Sequence, residues 1–98
     1  MPFIQTIEYQ TTRIDELNTL VDGWLEKTKG KRAATRGTQT RDRDAANTYM
    51  QIVEFPSYED AMLNSKLPET SELAAQMAAL CDGPPKFRNL DVTRADQM

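Results

Sequence analysis

Glu54-Phe55-Pro56-Ser57-Tyr58-Glu59-Asp60-Ala61-Met62, followed by Leu67-Pro68-Glu69-Thr70, is the stretch that decides the fold. The residues leading into it, Asn47 to Phe55, are rich in aromatic and β-branched side chains, which suit a pleated, half-buried surface. Tyr49, Val53 and Phe55 share one parity with Asn47 and Gln51, and Met50 and Ile52 share the other. Apolar groups on both faces are expected of a strand covered on both sides. Pro56 has no N–H to offer a neighbouring strand and ends the ladder. Ser57 then caps a helix, with Asp60 three positions on for capping-box geometry. Glu59 and Asp60 sit at the positive end of its dipole. Pro68 disfavours an α conformation at Leu67, so this helix stops near Lys66 and a second restarts near Glu69 or Thr70.

Working back to the start, Phe3 to Gln10 reads as a first strand. Phe3, Gln5, Ile7 and Tyr9 fall on one face, and Ile4, Thr6 and Glu8 on the other. Thr12 is the expected cap of the next helix, with Asp15 three residues later. Ile14, Leu17, Val21, Trp24, Leu25 and Thr28 recur at helical spacing, and Gly30 is the stop. From Lys31 to Arg41 threonine and arginine dominate, which predicts a polar edge strand whose charges discourage foreign pairing, with a bulge at Gly37. Asp42-Arg43-Asp44 turns this strand into the one before Pro56, making a hairpin.

Past the corner, Leu73, Met77, Leu80 and Cys81 form one stripe of the last helix. Ala74, Ala75, Ala78 and Ala79 suggest close packing around it, and Gly83-Pro84-Pro85 ends it. Phe87 to Thr93 reads as the final strand, and the tail to Met98 is expected to be loose. The order β-α-β-β-α-β, with the second helix broken, is that of an α+β ferredoxin-like fold: a four-stranded antiparallel sheet with its helices on one face. One such domain over residues 1–98 is expected. The other sheet face is left bare although its residues include apolar ones. A second copy packed sheet to sheet about a two-fold axis would cover it.

Composition narrows the function classes. The chain has 98 residues, 12 Lys and Arg against 15 Asp and Glu, a single cysteine and no histidine. One cysteine allows no internal disulfide and points to a reducing, cytoplasmic setting. The lack of histidine removes the commonest metal ligand and general base, so no metal site and no His-based triad is expected. No apolar run reaches the roughly 20 residues that span a bilayer, and the N-terminus does not read as a signal peptide. Lys27, Lys29, Lys31, Arg32, Arg36, Arg41 and Arg43 make the middle of the chain basic. The acidic balance of the whole chain and the lack of an aromatic platform among residues 31–41 argue against nucleic acid as a partner.

Nearly the whole chain resembles the dimeric α/β-barrel superfamily, and within it the antibiotic-biosynthesis-monooxygenase-like proteins. The resemblance rests on the element order, on the amphipathic stretch Ile14 to Thr28 and on the corner Val53-Glu54-Phe55-Pro56-Ser57-Tyr58-Glu59-Asp60-Ala61 with its break at Leu67-Pro68. It implies a homodimer joined through the sheet to make a barrel. It implies a pocket for a hydrophobic aromatic small molecule, no cofactor, and oxygenase-type chemistry. Haem ligation by histidine, as in the haem-degrading branch, has no counterpart here. Tyr9, Trp24, Tyr49, Asn64 and Arg88 are the side chains available to bind a substrate in such a pocket. The competing expectation is a non-catalytic small-molecule-binding or stress-response-type module, motivated by the absence of a titratable acid–base pair. Cys81, at the negative end of a helix, is expected to pack rather than react.

Overall fold

The computed structural model describes residues 2–98. Its elements are β1 (Phe3–Gln10), α1 (Ile14–Lys27), β2 (Arg36–Arg41), β3 (Thr48–Phe55), α2 (Tyr58–Ser65), α3 (Pro68–Leu80) and β4 (Lys86–Asp91). The strands form one antiparallel sheet in the order β2-β3-β1-β4. This is the ferredoxin-like arrangement, with the second helix split in two at Pro68.

The corner folds as its residues dictate. Ser57 is the cap of α2: its hydroxyl oxygen accepts the backbone N–H of Asp60 at 3.1 Å. Its own O–H donates to the Asp60 carboxylate at 3.0 Å. Pro68 occupies the first turn of α3, where its missing N–H costs nothing.

Register decides which side chains meet. Phe3 lies opposite Phe55, Ile7 opposite Gln51 and Tyr9 opposite Tyr49. The odd-numbered positions of β1 and β3 therefore share one face, and the helices cover it. Two apolar clusters result. Phe3, Phe55 and Ala61 form one, beneath α2; Tyr9, Leu17 and Met77 form the other, beneath α1 and α3. Between them the same face carries Gln5, Gln51 and Gln39.

The even-numbered positions point to the opposite, helix-free face. Ile4, Thr6, Glu8, Met50, Ile52 and Glu54 are half-buried there. No helix among the described residues is long and apolar enough to cross a membrane.

Four local expectations need correction. α1 is not capped by Thr12: it starts at Ile14 after Arg13, and the Thr11 hydroxyl accepts the Arg13 N–H at 3.0 Å instead. Thr11 wins because it is buried and already anchored, its O–H donating to the Leu80 carbonyl at 2.7 Å. Gly37 makes no bulge, since the β2–β3 register runs unbroken from Arg36↔Glu54 to Arg41↔Tyr49. It instead leaves room for the Gln51 amide, whose nitrogen would lie 3.2 Å from a Cβ at that position. The alanines of α3 at 74, 75, 78 and 79 face solvent rather than packing closely. The polar strand is also shorter than its sequence suggests, because residues 31–35 serve as the link from α1.

Candidate functional site

Tyr9 and Tyr49 end adjacent strands at the hairpin side of the sheet, on the helix-covered face. Antiparallel register sets them directly opposite each other. Their rings stack, with centroids 5.7 Å apart and planes 16° apart. Tyr9 is buried against Leu17 and Met77, whereas Tyr49 is half-buried and reaches the surface.

A carboxamide pair holds the buried phenol. The Gln39 side-chain amide of β2 donates to Asn18 Oδ1 of α1 at 2.8 Å and, at 3.4 Å, to the Tyr9 hydroxyl oxygen. With its oxygen serving as acceptor, the Tyr9 O–H proton stays free to donate. Burial pushes the Tyr9 pKa above its ordinary value near 10, and the Gln39 hydrogen bond only partly offsets that. Tyr9 is therefore a neutral hydrogen-bond donor at physiological pH and a poor base. Burial and the carboxylate of Asp82 likewise push the thiol of Cys81 up, which disfavours its thiolate form.

Tyr49 is also the floor of an open cleft of about 650 Å³ at the hairpin end, walled by Arg41, Asp42, Arg43, Asp44 and Asn47. That volume lies within the range of roughly 300–1,000 Å³ usual for small-molecule sites. The loop that shapes it is set by Asn47, which adopts the left-handed conformation at φ 57°. The Asn47 carbonyl accepts the Thr11 N–H at 2.9 Å, and Asp42 N–H donates to the Thr48 carbonyl at 2.8 Å. A smaller cleft of about 180 Å³ borders Tyr49 from the helix-free side, between Glu8, Thr40 and Met50.

The structure gathers two of the five sequence-expected residues, Tyr9 and Tyr49. It places the other three elsewhere. Trp24 lies on the seam between α1 and α3, where its indole N–H donates to Thr70 Oγ1 at 3.0 Å and the Arg32 guanidinium sits 5.6 Å from its ring centre. Asn64 is buried at the end of α2, and its Oδ1 accepts the Ala33 N–H at 3.0 Å, fastening the link between α1 and β2. Arg88 pairs with Thr6 in the sheet and so projects from the helix-free face, opposite to Tyr9. Strand parity thus sets Arg88 apart from the two tyrosines.

Gln39 and Asn18 were not singled out in the sequence. Gln39 sits in a run of threonines and arginines that reads as a solvated edge, and only pairing with β3 puts it beside Tyr9.

This architecture recurs among known structures. SnoaB, a cofactor-independent oxygenase from Streptomyces nogalater, superposes with a TM-score of 0.79 at 14% identity, covering 96% of this chain and 95% of its own. The chain has the fold of the antibiotic-biosynthesis-monooxygenase-like proteins. Rv0793 from Mycobacterium tuberculosis matches equally well, with a TM-score of 0.79 at 13% identity over 99% of this chain and 100% of that one. A conserved protein from Methanosarcina mazei gives 0.79 at 9% identity over 92% and 91%. No protein-family model and no curated protein matches the sequence. At these identities the likeness is one of fold.

Proposed function

We propose that the protein is a homodimer, joined through its helix-free sheet face, that binds an aromatic small molecule at the hairpin end of the sheet. The observation that carries this reading is Tyr49, which lines a cleft of about 650 Å³ while its ring stacks on the buried Tyr9. A planar ring laid against Tyr49 extends that stack, and such offset aromatic contacts contribute about 0.5–1.5 kcal/mol beyond the area they bury. Tyr9 backs the Tyr49 ring from beneath, and Arg41 and Arg43 line the cleft. The dimer is supported by the apolar side chains of the free sheet face, of which Ile4, Met50 and Ile52 are only half-buried in one copy.

The likeness to SnoaB favours a second, enzymatic reading: cofactor-independent oxygenation of the bound aromatic compound. Such chemistry needs a group that draws a proton from the substrate. The site offers a phenol whose pKa is raised, so the binding reading stands first. Titration of a panel of polyphenols, followed by quenching of tyrosine fluorescence, tests the binding. Saturable quenching that is lost in Tyr49→Ala supports the site. Unchanged quenching in that variant overturns it. Oxygen consumption in the same mixtures decides between binder and oxygenase.

A further inference from the structure

The pair of stacked tyrosines has one open end, and a cation stands at it. Strand register sets Arg41 of β2 opposite Tyr49 of β3, and Tyr49 opposite Tyr9 of β1. Residues opposed in an antiparallel pair share a face, with Cβ atoms about 4.5–5.5 Å apart. The three side chains therefore form one row on the helix-covered face, in the order Arg41, Tyr49, Tyr9. The Tyr9 ring takes one side of the Tyr49 ring, with centroids 5.7 Å apart. Among the described residues no other aromatic ring and no cation lies over the remaining side. By the order of the row, that side is the one toward Arg41. The cleft of about 650 Å³ is lined by Tyr49, Arg41 and Arg43, and not by Tyr9.

The charges around the cleft are not equivalent. Arg41 and Arg43 are exposed, and neither forms an ion pair among the described residues. Asp42 is next along the chain, where its N–H donates to the Thr48 carbonyl, so alternation turns it toward the other face. Its carboxylate is already engaged, accepting the Asp44 N–H at 2.8 Å. Asp44 lies farther round the loop. The charge in register with the aromatic row is thus the Arg41 guanidinium. A guanidinium without a carboxylate partner is a planar fork of donors, matched to the two oxygens of one acid group. A ring laid on the open side of Tyr49 turns an edge substituent toward that fork.

We infer that the ligand of this cleft is an aromatic carboxylate, its ring on Tyr49 and its carboxylate on Arg41. The inference rests on the aromatic-binding site proposed above and names the class of compound it takes. Arg43, in the loop, adds positive potential at the same cleft. Ion pairs as exposed as this one contribute little, so the selectivity for an acid is modest.

Calorimetric titration with a matched pair of probes, naphthoate and its neutral amide, tests the assignment. The acid should bind about fivefold more tightly than the amide, and added salt should shrink that ratio. Arg41→Gln should bring the ratio to about one and leave the affinity for the amide as it was. Arg41→Lys keeps the charge without the fork and should retain part of the preference. Lys29→Gln removes the same charge beyond α1, at the end of the sheet away from the hairpin, and should leave the ratio unchanged. Tyr49→Ala should lose both probes, and Tyr49→Leu serves if that variant fails to fold. Equal binding of acid and amide to the wild-type protein, or a ratio that survives Arg41→Gln, overturns the assignment and leaves the aromatic site standing. Tighter binding of the cationic naphthylmethylammonium than of the acid overturns it in the same way. Failure of every probe to bind at millimolar concentration, or undiminished binding in the Tyr49 variants, overturns the aromatic site and this inference with it.

Discussion

The two faces of this sheet are built from alternate residues of the same strands, yet they meet different fates. On the helix-covered face Phe3, Tyr9 and Phe55 are 2%, 2% and 4% exposed. One residue along, Ile4, Met50 and Ile52 remain half-buried. The difference is not one of hydrophobicity, since isoleucine is as apolar as phenylalanine. It arises because both connections that could cover the sheet, α1 and the α2–α3 pair, cross it on the same side. The covered face thus carries the stability of a single copy, and the free face keeps its apolar side chains available for the association proposed above.

That contrast can be broken in several places. The largest effect is expected from Leu17→Ala, since Leu17 is 0% exposed between Tyr9 and Met77. It should cost about 2–5 kcal/mol in urea unfolding, independent of protein concentration. Ile52→Lys on the free face should leave the unfolding of a single copy within about 1 kcal/mol but weaken association at least about tenfold, equal to about 1.4 kcal/mol. Sedimentation at several concentrations checks this. If Ile52→Lys cost as much as Leu17→Ala at high dilution, the division of labour between the faces would be wrong.

Tyr9→Phe sharpens the covered side. Losing the hydroxyl that accepts from Gln39 should cost about 0.5–1.5 kcal/mol. The alkaline behaviour follows from the raised pKa. The folded state holds the Tyr9 proton more tightly than the unfolded chain, so its contribution is fully present below about pH 10 and is lost as pH rises through the higher folded value. Cys81 acts in the same sense, beginning nearer its ordinary value of 9. Unfolding measured from pH 8 to 11 should show stability falling, with a shallower fall in Tyr9→Phe.

Gly37→Ala is the smallest expected change. The reduced chain entropy of alanine gains about 0.5–1 kcal/mol, offset by a shift of the Gln51 amide. The melting temperature should therefore barely move. A loss above about 2 kcal/mol would show that the amide is fixed in place.

Much of this was legible in the chain. The Pro56-Ser57 corner, the break at Pro68 and the Ile14–Thr28 periodicity are local signals, each read by steric or hydrogen-bonding rules acting over a few residues. From them the element order follows, and with it the expectation that one face of the sheet is covered and the other bare. The tyrosines were legible as apolar side chains with polar tips, but not as a stacked pair, because their meeting depends on the β1–β3 register across 40 positions of sequence. Trp24 and Asn64 were visible as candidates, yet hydrogen bonds to Thr70 and to Ala33 occupy them in joining elements. Arg88 and Gln39 show the limit most clearly. Gln39 read as part of a solvated edge and Arg88 as a pocket candidate, and strand parity puts Gln39 beside Tyr9 and Arg88 on the opposite side.

The sequence by itself therefore determined the elements, their order and the alternation of each strand, since those depend on local stereochemistry and on spacing along the chain. Only the tertiary structure decided which residues face each other across strands and which face stays open. Those facts rest on register and on the side from which the helices return, and no short window of residues encodes either.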